Sequence, residues 1–480
     1  MYLCRPKLIK NDMMKRRFLT LALLAALVCQ VVIAADDAFT TKGDGTTYSI
    51  RTLAEMEEAG VLAYAMAVWP PVFEMTKSVT IAEGDKFVMD DAIALQFREN
   101  VCLTIEGEAD FQLEEGSKFE PAFNQPEVLG TSIRIKSSST TEMSHCSFSS
   151  LGVEVMGDGA VNLDNCYFAI HDGSTAAALY FMSDGAPSVI QYCEFHSCQK
   201  AAIGSAANAS RPMTISNCTF DRNSATNGNI PQINITAANP LVIDRCTVEG
   251  NPENTMVGGI GISNFMSYDA DITISNCTVE DNRYGIGLVG PAAKVRIEDC
   301  KLLNNRYETN AMNGGSGISL YDPYQLTEAV MTGNHIEGSL WGVTVIGCKK
   351  VNLGCLESGD DYNPGENVFE DNGNNGQLYD LYNNSANTIY AQGNTWNVSE
   401  QTEEQIETVI YHKHDDPSLG EVIYWPAATE TGIGTVNGSL FESVALQLGF
   451  TVHDCYDLQG RKLPAPQKGL NIVNGKKVLR

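Results

Sequence analysis

Basic side chains are scarce in this chain of 480 residues: 32 Lys and Arg stand against 59 Asp and Glu, with seven His and four Trp. So acidic a molecule repels phosphate backbones and anionic lipid headgroups, which excludes nucleic acid and membrane surfaces as expected partners. Long apolar runs are missing as well. Beyond the first 35 residues no stretch reaches the roughly 18 apolar residues that a bilayer crossing needs, so an integral membrane protein is not expected. The helical crossovers that alternate with strands in α/β folds are also absent. At this length a single globular core is outgrown, leaving either several domains or one elongated repeat array.

The first 35 residues read as an export signal. Lys15, Arg16 and Arg17 precede an apolar stretch from Phe18 to Val28, and the small Ala34 and Ala35 follow. Translation from Met13 or Met14, rather than Met1, gives a signal of ordinary length. Cys29 follows Val28 instead of a small residue, which speaks against lipid attachment. Without this leader the balance is 26 basic against 58 acidic residues, a net charge of −32. The expected location is outside the cell, at its outer surface or in the periplasm.

Fourteen cysteines in an exported chain suggest a disulfide framework, but their placement does not. TISNCTF (214–220) recurs almost unchanged as TISNCTV (273–279), and the same pattern places Cys146, Cys166, Cys193, Cys218, Cys246, Cys277 and Cys300 in one column. An apolar residue lies three positions before each cysteine, such as Ile215, Ile243 and Ile274, and another two positions after, such as Phe220, Val248 and Val279. Asn334, Asn367 and Asn394 continue the column. Strand alternation keeps inward residues an even number apart, so the odd step from Ile215 to Cys218 requires a corner, and Ser216-Asn217 has turn chemistry. A further apolar segment follows in each cycle, as in GIGIS (259–263) and GISL (317–320). Three short strands per cycle make a three-sided coil, with cysteine spacings of 20 to 31 residues absorbed by loops at the corners. Coils stacked about 4.8 Å apart form a β-solenoid, an array that escapes the single-core limit. Parallel ladder side chains hold their β-carbons near that spacing, beyond the favoured disulfide approach, so the cysteines read as small buried thiols. One side chain per coil gives a row rather than a zinc tetrahedron.

TISNCTF, VIDRCTV, TISNCTVEDNRYGIGLVG and VRIEDCKLLNN resemble the repeats of right-handed parallel β-helix proteins, the pectate-lyase-like superfamily, over roughly residues 130 to 400. That resemblance implies an all-β, three-sided parallel solenoid; its residues are core-forming and carry no activity. The closing stretch NTWNVSEQTEEQIETVIYHKHDDPSLGEVIYWP resembles the end of secreted Bacteroidetes β-helix proteins. CYDLQGRKLPAPQKGLNIVNGKKVLR resembles a type IX secretion sorting module, through Asp457 to Gly460, Gly469 and Gly475-Lys476-Lys477, although it is shorter than usual.

The expected organisation is a signal at 1–35, a small N-terminal cap with the first coils at 36–129, and the β-helix with its C-terminal cap at 130–426. A linker at 427–447 and a sorting-like β module at 448–480 follow. Leu53, Met56 and Val61 have near-helical spacing and suit the N-terminal cap, while Ser399 followed by Ile406, Val409 and Ile410 predicts a capping helix at the other end.

Catalytic signatures are lacking. None of the seven histidines stands between two glycines, as a polygalacturonase pattern requires, and Arg134-Ile135-Lys136 has no partner motif. The surface candidates are Arg283, Tyr284, Arg306 and Tyr307. Both tyrosines lie seven residues after a ladder cysteine, so the pairs are expected to stack and to offer guanidinium forks and ring faces to an acidic glycan; the alternative is a surface ladder of ion pairs. No cofactor is expected. Calcium could find oxygen ligands at Asp360, Asp361, Asn363 and Glu366, but they lack a regularly spaced motif and a solvated loop is the favoured reading. His412, His414, Asp415 and Asp416 offer metal-ligand chemistry at the C-terminal cap, where Asp-Asp-Pro also suits a turn. The function expected is non-catalytic glycan binding or adhesion by an exported β-helix. A polysaccharide lyase or glycoside hydrolase acting on acidic polysaccharide and a structural surface spacer are the alternatives. The oligomeric state is not legible.

Overall fold

The computed structural model describes residues 38–64, 69–89, 91–111, 116–122, 130–292, 294–308 and 310–428, with the backbone of four strands between 455 and 479. The leader at 1–35 and all but the first two residues of 427–447 lie outside the described residues. The chain divides into two compact units, Met1–Pro426 and Ala427–Arg480.

The first unit is a right-handed β-helix of three sheets, here called faces A, B and C. Face A runs in 14 strands from Phe39–Thr40 to Ile410–Tyr411, face B in 14 from Thr47–Tyr48 to Val422–Ile423, and face C in 13 from Val61–Ala63 to Val368–Glu370. All pairings are parallel except the first on face C. One turn of chain passes through Thr219–Asp221 on face C, Ile233–Thr236 on face A and Leu241–Asp244 on face B, and returns to face C at Thr247–Glu249. Thr247 then lies beside Thr219, and Val248 beside Phe220. Parallel coils begin at Val72–Met75, well before residue 130, because the alternating strands of 72–111 already close full turns.

A single left-handed residue makes each corner between faces B and C. Asn165, Asn217, Arg245 and Asn276 have φ of 51°, 54°, 51° and 54°. That conformation reverses the side-chain parity, so Ile215, Cys218 and Phe220 all point inward and are buried. Asn tolerates it, and Gly333 takes it where the column changes from Cys to Asn. A second left-handed residue, such as Arg222, Asp281 or Asn304, ends most of these face C strands four positions after the column.

Inside, register turns sequence repetition into ladders. Phe148, Phe168, Phe195 and Phe220 stack with successive centroid separations of 4.6, 4.7 and 5.1 Å. Each fully buried ring contributes roughly 1.5–3 kcal/mol through removal from water. The seven column cysteines are buried and free of disulfides; Cys218 Sγ donates to the Ser216 carbonyl at 3.2 Å, satisfying a corner acceptor. Asparagine continues the row with stronger bonds. Asn334 Oδ1 accepts the Cys300 N–H at 3.0 Å, Asn367 Oδ1 accepts the Asn334 N–H at 3.1 Å, and Asn394 Oδ1 accepts the Asn367 N–H at 2.9 Å. Arg211, 2 % exposed, donates to the carbonyls of Gly157 and Gly159 at 2.6 Å and of Asp184 at 3.2 Å, tying the loops of three successive coils.

Both caps are shorter than their sequence spacing suggests. The N-terminal helix covers only Ile50–Ala54, with a reciprocal Ser49/Thr52 capping box, and Val61 instead opens an edge strand after Gly60 turns left-handed at φ 64°. At the other end the helix is Glu403–Glu407 with Thr402, not Ser399, as its cap. Ile410 leaves that helix to join face A. The second unit is a four-stranded antiparallel sheet in the order Lys462–Leu463, Cys455–Tyr456, Leu470–Val473, Lys476–Leu479.

Replacing Asn367 by Ala orphans the buried Asn334 N–H and removes one of the two acceptors of Asn334 Nδ2, so Asn367→Ala lowers stability by about 1–3 kcal/mol. Chemical denaturation checks this against Lys301→Ala on an exposed strand position, expected within about 0.5 kcal/mol of the parent.

Candidate functional site

The four surface candidates do not form the expected array. Arg283 is buried at 7 % exposure. Its Nη1 donates to Asn229 Oδ1 at 2.6 Å and its Nη2 to the Asn313 carbonyl at 2.8 Å, while Nε approaches Glu308 Oε2 to 2.7 Å as an ion pair. Tyr284 lays its ring across Gly258, Gly261 and Gly287, where any added Cβ would meet it at 2.2, 3.3 and 2.9 Å. Burial raises its hydroxyl pKa to about 12. Tyr307 OH donates to Asp281 Oδ1 at 3.3 Å. Arg306 alone is exposed and makes no ion pair among the described residues. Equal offsets from the cysteine column fail here because both arginines lie beyond the second corner. One residue, Gly285, separates Tyr284 from Ile286, at the start of its face A strand, whereas the loop after Tyr307 runs on to Ser316.

That longer loop builds a cavity of about 600 Å³, lined by Arg306, Glu308, Asp371, Asn372, Asn374 and Asn397. Leu340 and Leu378 also line it, and the residue after each begins an aromatic platform on the outer surface of face A. Trp341 and Tyr379 stack at 5.6 Å with planes 8° apart, and Tyr382 and Tyr411 stack at 4.6 Å and 4°. Edge contacts of 5.4 to 5.8 Å join the two pairs. All four rings are half-buried. Trp341 Nε1 donates to the Ala311 carbonyl at 2.7 Å, which fixes the indole against the cavity loop. Strand register explains the alignment: Ser319, Thr344, Tyr382 and Tyr411 occupy one outward column. Sequence reasoning missed the platform because its rings come from three coils; aligning outward columns once the strands are registered would have revealed it.

Behind the cavity wall lies a buried acid. Asp380 has no exposed surface. Its Oδ2 accepts the Asn397 N–H at 2.8 Å and its Oδ1 accepts Asn372 Nδ2 at 3.2 Å. Burial raises its pKa to about 7, partly offset by these two bonds.

The calcium candidates do not converge. Asp361 pairs with Lys350, Asp360 and Glu366 are exposed, and Asn363 is turned inward, its Nδ2 donating to the Met331 and Asn352 carbonyls at 3.1 and 3.0 Å. Among the described residues two groups have metal-ligand composition, Glu407–His412–His414 and His335–Glu337–Glu370. In the first, His412 Nδ1 accepts the Val422 N–H at 2.8 Å, so the ring proton sits on Nε2 and is donated to Glu407 Oε1 at 3.0 Å. A metal needs a lone pair at that atom. His414 Nδ1 and Tyr424 OH complete the network on Glu407 at 2.6 and 2.7 Å. Asp415 accepts the His412 N–H and Asp416 the Ser418 N–H, both as turn acceptors. In the second group His335 Nε2 lies 3.4 and 3.3 Å from the Glu337 and Glu370 carboxylates, an outer-surface ion cluster on face C.

Asp380 supplies a pH prediction. Its folded pKa exceeds the unfolded value of about 3.9, so the folded state retains a proton that the unfolded chain releases. Its contribution is most favourable below pH 4 and is lost as pH rises toward 7, by on the order of 4 kcal/mol. Thermal midpoints of the parent measured from pH 4 to 8 should therefore fall relative to those of Asp380→Asn, with the difference levelling above pH 7.

The family described as "Right handed beta helix region" matches this chain over residues 95–230, 127–264 and 216–322. Among solved structures, the periplasmic alginate epimerase AlgG is 11% identical with a TM-score of 0.39, the alignment covering 81% of each chain. A double mutant of that enzyme is 10% identical with a TM-score of 0.44, covering 80% of this chain and 83% of the other. No curated protein matches. The stacked sheets give the first unit a right-handed β-helix fold, and the matched regions lie within it.

Proposed function

We propose that this is an exported protein that binds polysaccharide, without cleaving it, on the outer surface of face A over its last coils. The observation that carries this reading is the half-buried platform of Trp341, Tyr379, Tyr382 and Tyr411 beside the polar cavity. Flat aromatic faces pack against the C–H faces of sugar rings, and neighbouring amides bond their hydroxyls. Arg306, exposed and unpaired, favours a sugar bearing a carboxylate, which a guanidinium fork holds in two bonds. The leader, with its basic start and apolar run, supports export.

An acid–base hydrolase or lyase is less well supported. Two carboxylates line the cavity, and with Glu308 committed to buried Arg283 only the exposed Asp371 is left, while Asp380 stands behind the wall with no exposed surface. A spacer has no use for an aromatic platform beside a cavity.

Sorting by the C-terminal segment stays part of this proposal. Its last two strands pair with Val473 opposite Lys476, leaving Asn474-Gly475 between them, a sequence suited to a two-residue hairpin. A chain ending at Pro426 should accumulate in the periplasm if that segment directs surface export; unchanged surface display would remove this part.

Affinity electrophoresis in polygalacturonate, alginate, xylan and galactan gels tests the binding reading. Retardation by at least one acidic polymer is expected. Trp341→Ala and Tyr382→Ala should each weaken it by about tenfold or more, as loss of a central aromatic anchor does, and Arg306→Ala should weaken the acidic gels selectively. New reducing or unsaturated ends released by the parent would instead establish catalysis.

A further inference from the structure

We propose that Asp380 couples occupancy of the cavity to protonation, so that the site accepts an anionic sugar when this carboxyl is neutral and resists it when the carboxyl is ionised. This rests on the reading of the cavity and platform as a glycan site, and adds to it the regulation of that site.

The geometry is unusual for a carboxylate. Asp380 is wholly buried, and its two hydrogen bonds come from a neutral amide and a neutral backbone N–H. Among the described residues no basic group forms an ion pair with it. Both donors belong to residues that line the cavity, Asn372 and Asn397. Asn372 is held on its other sides as well. Its Oδ1 accepts the Ser339 N–H at 3.0 Å, its Nδ2 donates to the Ile336 carbonyl at 2.9 Å, and its own carbonyl accepts Asn397 Nδ2 at 3.3 Å. Backbone bonds from Val343 N–H to the Asp380 carbonyl at 2.7 Å, and from Asp380 N–H to the Val409 carbonyl at 2.8 Å, anchor the residue between coils. These bonds fix the Asp380 backbone, and turning its carboxyl outward would break both of its side-chain bonds.

A protonated acid still accepts both N–H groups, one on each oxygen, and sheds the buried charge. Ionisation places a negative charge one side-chain layer behind the cavity wall, in a medium where Coulomb repulsion is only weakly screened. The carboxylate of a bound sugar would then be attracted by Arg306 in front and repelled by Asp380 behind. The titratable groups on the surrounding elements are Asp371 on the corner loop, Arg306 and Glu308 on the cavity loop, Tyr379 and Tyr382 on either side in sequence, and Tyr411, Glu407, His412 and His414 on the capping coil. The two histidines are bonded to Glu407 rather than to Asp380. By linkage, a ligand that prefers the neutral acid raises its proton affinity by the same factor.

Isothermal titration of the full mature chain with hexagalacturonate, at pH 5.5 and 8.0 and in two buffers of different ionisation enthalpy, tests this. Xylohexaose, a neutral probe, is run in parallel. The parent should bind hexagalacturonate about tenfold more tightly at pH 5.5, with net proton uptake at pH 8.0 and little at pH 5.5, where the carboxyl is already neutral. Xylohexaose, if it binds, should show a much smaller pH dependence. Asp380→Asn should flatten the hexagalacturonate profile, and the proton count on the parent needs no variant at all. Binding with equal affinity and no proton uptake at both pH values overturns this proposal and leaves the glycan site standing. An unchanged pH dependence in a folded Asp380→Asn protein also overturns it. Failure of both probes to bind at either pH overturns both readings.

Discussion

Every feature of the first unit depends on the parallel backbone hydrogen bonding between one coil and the next. Those bonds form only if each turn of chain returns in register, and register survives only if the corners change side-chain parity by the same amount each time. One left-handed residue per corner does this, at Asn165, Asn217, Arg245 and Asn276. The near-duplicate stretches at 214–220 and 273–279 follow from that requirement: they are copies of a corner, with Cys218 and Cys277 filling the narrow space inside it. Stacked phenylalanines, the thiol row and the asparagine ladder are consequences of register, because identical positions must lie side by side.

The same constraint decides where function can reside. Inward columns are fixed by packing, and from Ser144 to His335 the B-to-C corner is held to one or two residues. Freedom remains in the outward columns and in the loops leading from face C to face A. In the last coils both depart from the pattern together. The outward column gains Tyr382 and Tyr411, and the loops at 304–315 and 371–380 lengthen to enclose a cavity. Within that wall the fold keeps one carboxyl that nothing neutralises. Arg211 shows the alternative, a buried charge fully occupied by backbone carbonyls.

What could be read from the sequence divides along the same line. The inward columns were legible because they recur at every coil, so the solenoid, its three sides and its unpaired thiols followed from Cys146 to Cys300 and the apolar residues around them. Arg283 and Arg306 misled for a physical reason: they share an offset from the column but not a loop length, so one is buried against Glu308 and the other faces the cavity. Metal chemistry at His412 could not be judged from residue type, because the Val422 N–H decides which nitrogen holds the proton. Trp341, Tyr379, Tyr382 and Tyr411 were invisible as a group, since only the stacking of coils brings rings 29 to 41 positions apart into contact.

The central claim is that sugar lies on this platform, and hydroxyl-radical footprinting with mass spectrometry tests it most directly. In the presence of polygalacturonate oligosaccharides, oxidation of Trp341, Tyr379, Tyr382 and Tyr411 should fall, while Tyr192 on the distant B-to-C corner and Tyr362 on its loop should oxidise as before. Unchanged oxidation of the four platform rings, alongside demonstrated binding of the same oligosaccharide, would contradict the account.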